Sequence, residues 1–123
     1  MAKGLEALLG ANLDVTKEVY IPRLKTTFTI KALTNAETTK ARLRATTGKD
    51  NVDSTTLSYV MISMACVDPD FNDKALKAHY GASDDVDCVG KALLPGEIAK
   101  MAEEIAKLSG FGVDDEMVED AKN

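Results

Sequence analysis

His79 is the only histidine, so nucleophilic or zinc chemistry would have to be built around it and the two cysteines, Cys66 and Cys88. A Cys–His pair needs a thiolate activated beside the imidazole. Both cysteines fall on apolar stretches, where a free thiol behaves as a small hydrophobe. Zinc needs paired ligand spacing, which the three residues lack. Asp68-Pro69-Asp70-Phe71-Asn72 starts like a calcium loop. Such a loop needs Gly at its sixth position and a bidentate Glu at its twelfth, and those places hold Asp73 and His79. The simpler reading is a polar loop in which Asp70 or Asn72 caps the next helix. Paired carboxylates occur at Asp84-Asp85 and Glu103-Glu104, but neighbours on a helix point about 100° apart. They read as caps and solvated charge. There is no Gly-x-Ser-x-Gly, P-loop or dinucleotide fingerprint. No catalytic residue, metal or cofactor is expected.

With chemistry set aside, the remaining assets are charge and apolar surface. The net charge is −5 over 123 residues. That disfavours nucleic acid, whose phosphates Lys and Arg must neutralise, and anionic membranes. The charge is uneven. Lys31, Lys40, Arg42 and Arg44 face only Glu37 in one stretch, whereas Asp114, Asp115, Glu116, Glu119 and Asp120 crowd the other end. The basic cluster lacks an aromatic platform for bases. No apolar run reaches the ~20 residues of a membrane span, and the first residues do not read as a signal peptide. Two cysteines are too few for a disulfide scaffold, so both are read as reduced.

The elements that would carry such surfaces are mostly helical. The pattern predicts a mainly α (α+β) fold: a compact domain of about five helices with an N-terminal β-hairpin, spanning residues 1–111. An acidic, mobile tail is expected over 112–123. Leu5, Leu8, Leu9 and Leu13 suggest one or two helical turns packed on something larger, or a frayed terminus. Alternation over residues 17–32, with Val19, Ile21, Phe28, Ile30 and Ala32 inward, predicts a hairpin turning at Pro22. Thr34-Asn-Ala-Glu37 forms a capping box for a helix with a thin apolar face of Ala36, Thr39 and Leu43. A loop follows at Gly48. Leu57, Val60, Met61, Met64 and Val67 mark the central helix, closed by Pro69. Short helices follow over 71–80 and from Ser83 through Leu93. A last helix carries Leu94, Ile98, Met101, Ile105 and Leu108, with Gly110 at its C′ position and Phe111 placed to touch Ile105.

The run Leu93-Leu94-Pro95-Gly96-Glu97-Ile98-Ala99, continued by Leu108-Ser109-Gly110-Phe111, resembles the C-terminal signature of the XkdN-like phage tail assembly chaperones. Ala65-Cys66-Val67-Asp68-Pro69-Asp70-Phe71-Asn72-Asp73 with Tyr80-Gly81 is similar to that family's central segment. Tyr20-Ile21-Pro22-Arg23-Leu24 and Phe28-Thr29-Ile30-Lys31 fit its hairpin. The resemblance covers about Leu8 to Phe111 and rests on structural punctuation. It implies a protein of tailed phages or prophages that acts in the host bacterial cytoplasm. Such a protein would bind the tape measure protein, a long aggregation-prone helical chain, and keep it soluble until tube subunits polymerise around it. It would be absent from the mature virion. The family implies two further partners: a frameshift-extended form of the chaperone itself and the tail tube protein.

A holdase needs apolar grooves, net charge and no active site. The groove is expected between the Leu57–Met64 and Leu94–Leu108 helices. Leu57, Met61, Met64, Ile98, Met101 and Ile105 would line it, with Lys40 and Arg44 at its rim. A homo-oligomer is expected through the hairpin edge or through opposite charge. Two other readings stand beside this one: a structural or completion component of the tail, and a small nucleic-acid-binding regulator.

Overall fold

The structure is a computed structural model that describes residues 2–12, 14–48 and 51–111. The expected acidic tail over 112–123 lies outside the described residues, as does Leu13. In chain order the elements are α1 (Lys3–Gly10), β1 (Thr16–Ile21), β2 (Thr26–Lys31), α2 (Asn35–Ala45), β3 (Thr46–Thr47), β4 (Asn51–Val52), α3 (Ser54–Ala65), β5 (Cys66–Asp68), α4 (Lys74–Tyr80), α5 (Asp85–Ala92) and α6 (Pro95–Leu108). The fold is thus α+β, with six α-helices among the described residues.

Alternating Thr and apolar residues fit a pleated surface buried on one side. β1 and β2 pair antiparallel, with Val19 opposite Phe28. Val19, Ile21, Phe28 and Ile30 are buried on one face, and Thr16, Glu18, Tyr20 and Thr27 are exposed on the other. A 3-10 turn over Pro22–Leu24 joins the strands, and Lys25 closes it at φ 54°. A lone hairpin is marginal in water. Here β5 pairs with the inner strand β2, giving the order β1-β2-β5. The sequence pattern carried the central helix to Val67, but α3 stops at Ala65. Three residues are too few to show their own period, yet Cys66 turns inward and Val67 outward, as strand residues do.

Thr34 Oγ1 accepts the Glu37 N–H at 3.2 Å, and Glu37 Oε1 accepts the Thr34 N–H at 3.0 Å, completing the capping box of α2. The expected apolar face of α2 is corrected. Ala41 and Ala45 are buried, while Ala36, Thr39 and Leu43 are exposed. α2 packs against α3, and alanines let two backbones approach closely. The stretch read as a loop holds a small two-stranded pairing, β3 with β4, in which Thr46 lies opposite Val52.

α4 is capped by Asp73, whose Oδ1 accepts the Leu76 N–H at 2.9 Å, and not by Asp70 or Asn72. Phe71 precedes it in a turn. Gly81 ends it at φ 64°, in the left-handed region that favours glycine. In α6, Gly110 donates to the Lys107 carbonyl and Phe111 to the Ala106 carbonyl, at 3.1 and 2.9 Å. Those two bonds make a Schellman end, with Gly110 at φ 101°. Phe111 remains 52 % exposed while Ile105 is fully buried.

The apolar sheet face meets α3 and α6, and α5 packs against α3. Ile21, Ile30, Ile62, Phe71, Met101 and Ile105 form the centre of the core. The rings of Phe28 and Phe71 meet edge to face at 6.3 Å. Polar ties bind α6 to the hairpin. Arg23 grips Glu97 with two hydrogen bonds of 2.8 Å and reaches the Ala92 carbonyl at 3.1 Å. Lys17 pairs with Glu104, and Lys100 Nζ donates to the Tyr20 carbonyl at 2.7 Å. The Arg23 hydrogen bond holds the Glu97 carboxyl below the usual carboxylate range. α1 buries none of its residues, and Leu5, Leu8 and Leu9 stay exposed. It is a helix, but among the described residues nothing serves as the larger body it was expected to pack on. Among the described residues no helix is long and apolar enough to cross a membrane.

Candidate partner-binding cleft

Residues on one helix turn about 100° apart, so α3 offers distinct faces. Ser54, Thr55, Ser58 and Tyr59 share one of them. Together with Gly90 and Leu93 near the end of α5, and with Pro95, Ile98 and Ala99 on α6, they line an open cleft of about 370 Å³. Tyr59 packs close against α5 because position 90 is glycine: a Cβ there would stand 3.0 Å from the Tyr59 ring. The cleft wall is apolar from Leu93, Pro95, Ile98 and Ala99, and hydroxyls on α3 supply the polar side. Such a lining suits an amphipathic helix that offers both kinds of contact.

The residues expected to bind a partner do not all meet here. Ile98 lines the cleft and is half-buried. Leu57, Met61 and Met64 are half-buried on a face of α3 about a third of a turn away from the cleft face, and Met61 and Met64 pack on the core. Met101 and Ile105 have no exposed surface, so they hold the core and are not available to a partner. α3 also packs directly on α6. The cleft lies toward the first turns of the two helices, where α3 presents Ser54, Thr55, Ser58 and Tyr59. Lys40 is exposed, and Arg44 Nη2 donates to Asp85 Oδ1 at 3.1 Å. Neither lies at this rim. Asp85 also accepts from the Ser63 hydroxyl. Burial pushes the Asp85 carboxyl up, but the Ser63 and Arg44 hydrogen bonds outweigh it and the net shift is downward. Arg44 therefore ties α2 to α5.

Tyr59 and Gly90 carried no motif. The signal available was positional: Ser54, Ser58 and Tyr59 lie on the polar flank of the apolar stripe of α3.

The residues tested for catalysis are dispersed. His79 is exposed, edge-on to the Tyr80 ring at 4.8 Å. Among the described residues no three His, Cys, Asp or Glu side chains stand close enough to hold a metal. Cys66 and Cys88 are buried free thiols. Burial, helped by nearby Asp68, pushes the Cys66 thiol up to about 12, and burial also raises Cys88. Thiolate is the reactive form. In the native protein at pH 8, neither cysteine should react with a thiol reagent such as Ellman's within minutes, while both should react at once in urea. Rapid native labelling of either would contradict their burial.

Comparison with known proteins gives two findings. The crystal structure of the protein yqbn is similar to this fold, with a TM-score of 0.69, covering 90 % of this chain and 99 % of that one. At 21 % identity that likeness speaks for the fold alone. No curated protein matches the chain. The family model described as phage XkdN-like tail assembly chaperone protein matches residues 5–122. That match spans nearly the whole sequence, and the chain belongs to the phage XkdN-like tail assembly chaperone family.

Proposed function

We propose that this tail assembly chaperone binds the tape measure protein and keeps it soluble until the tail tube forms around it. The observation that carries the reading is the cleft between α3, α5 and α6, apolar on one wall and hydroxyl-lined on the other. A long helical partner presents amphipathic turns in series, and a short cleft of this kind would take one such turn per chaperone. The exposed leucines of α1 add a second apolar surface beside a chain of net charge −5, which opposes coaggregation. On this reading the protein works in the host cytoplasm and leaves before the virion is complete. The tube protein and any frameshift-extended form would meet it in the same compartment.

The test is co-expression with the tape measure protein of the same phage. Soluble yield of the tape measure protein should rise severalfold, and the two should copurify. Ala99→Trp, at an exposed position of the cleft wall, should fill the cleft, abolish copurification and leave the thermal midpoint within a few degrees of wild type. No gain in solubility and no copurification with the wild-type chain would refute the reading. Mass spectrometry of purified virions separates it from a structural tail role, because a chaperone should be missing there.

A further inference from the structure

We infer that the protein self-associates through the outer face of α2, which seats in the groove between β5 and α4 of a second copy. The inference goes beyond the proposed function, since neither surface belongs to the cleft between α3, α5 and α6. α2 carries two uncharged faces on opposite sides. Ala41 and Ala45 face inward and are buried. Ala36, Thr39 and Leu43 form a ridge on the outside, and Leu43 is 70 % exposed. At 100° per residue, Lys40 stands about 60° to one side of Leu43 and Arg42 about 100° to the other. The ridge is therefore an apolar knob between two cations. Among the described residues neither Lys40 nor Arg42 is in an ion pair, whereas Lys31 and Arg44 are paired with Glu37 and Asp85.

The complementary surface has the opposite charge. Val67, Pro69, Ala75, Leu76 and His79 line an open groove of about 600 Å³, with Asp68, Asp70 and Asp73 around it, so the carboxylates outnumber the one imidazole. Val67 is 53 % exposed there. Asp73 is engaged as the cap of α4, and Asp70 accepts the Asn72 N–H at 2.9 Å. Among the described residues no cation pairs with Asp68 or Asp70. Of the basic residues on α4, Lys77 is held by Asn72 Oδ1 at 3.0 Å. An apolar depression flanked by unpaired carboxylates matches an apolar knob flanked by unpaired cations. Complementary potentials of this kind set both encounter rate and register. A contact between unlike patches can repeat from copy to copy, giving rings or filaments.

Sedimentation velocity tests this with three chains: wild type, K40E/R42E and D68K/D70K. In low salt the wild-type mass should rise with concentration above that of a monomer. It should fall back in 1 M salt, where the Debye length is about 3 Å. Each double variant alone should associate at least tenfold more weakly. An equal mixture should associate again, because each then offers the surface that the other lacks. Leu43→Asp, which touches no cap or ion pair, should weaken association as much as K40E/R42E does. Circular dichroism confirms that each variant folds. A wild-type chain that stays monomeric in low salt, variants that associate like wild type, or a mixture that fails to associate would each overturn the inference. Ala99→Trp should self-associate normally, so loss of tape measure binding and loss of self-association are read separately.

Discussion

Phe71→Ala should lower folding stability by about 3–5 kcal/mol, the usual cost of removing a buried aromatic ring. Phe71 is 1 % exposed, yet it belongs to neither a helix nor a strand. It sits in the turn between β5 and α4 and inserts its ring against Phe28 from β2. α4 itself buries no residue completely. The ring is thus the main anchor that holds this turn, and the helix after it, to the sheet. Urea unfolding followed by circular dichroism should show a lower midpoint with an unchanged slope. A loss below about 1 kcal/mol would mean that α4 docks by other contacts. A loss in the expected range should be accompanied by faster proteolysis around residues 69–81, where local opening is closest to the anchor.

Met101→Ala and Ile105→Ala should each cost about 2–5 kcal/mol. Both side chains are fully buried where α6 crosses the sheet and α3. At the purification temperature that is a large part of the ~5–15 kcal/mol available to a domain. Both variants should therefore lose partner binding only in proportion to the unfolded fraction, and recover it on cooling toward the stability maximum. Ala99→Trp should behave in the opposite way, losing binding at full stability. Differential scanning calorimetry paired with copurification separates the two. If Met101→Ala kept its melting temperature and still lost the partner, α6 would have to open on binding.

Much of the architecture was legible because local rules agreed with the final packing. Thr34 and Glu37 announced α2, Gly81 ended α4, and Gly110 with Phe111 closed α6 through backbone bonds that any helix end needs. The hairpin followed from period-two alternation around Pro22. What escaped the sequence was decided by tertiary context. Cys66–Asp68 left the helix because β2 offers a free edge there, and no three-residue pattern can announce that. On α2 the larger apolar residue, Leu43, suggested the buried face, but α3 approaches so closely that only Ala41 and Ala45 fit. The cleft was harder still. The stripe on α6 placed Ile98 in line with Met101 and Ile105, yet Ile98 lines the cleft while the other two are fully buried.

The bond from Lys100 to the Tyr20 carbonyl bears on the open edge of the sheet. Val15 accepts the Ala32 N–H, which sets the alternation of the β1–β2 ladder. The backbone groups of Thr16, Glu18 and Tyr20 therefore point away from β2, along the rim of the sheet. A bare rim is a template on which another extended chain can nucleate a fibril. Here an ammonium occupies the last of its carbonyls, and Lys17 and Glu18 place charge along the rest. The rim is thereby insulated from pairing with another extended chain. Neutralising Lys100 would remove that insulation while leaving the core intact.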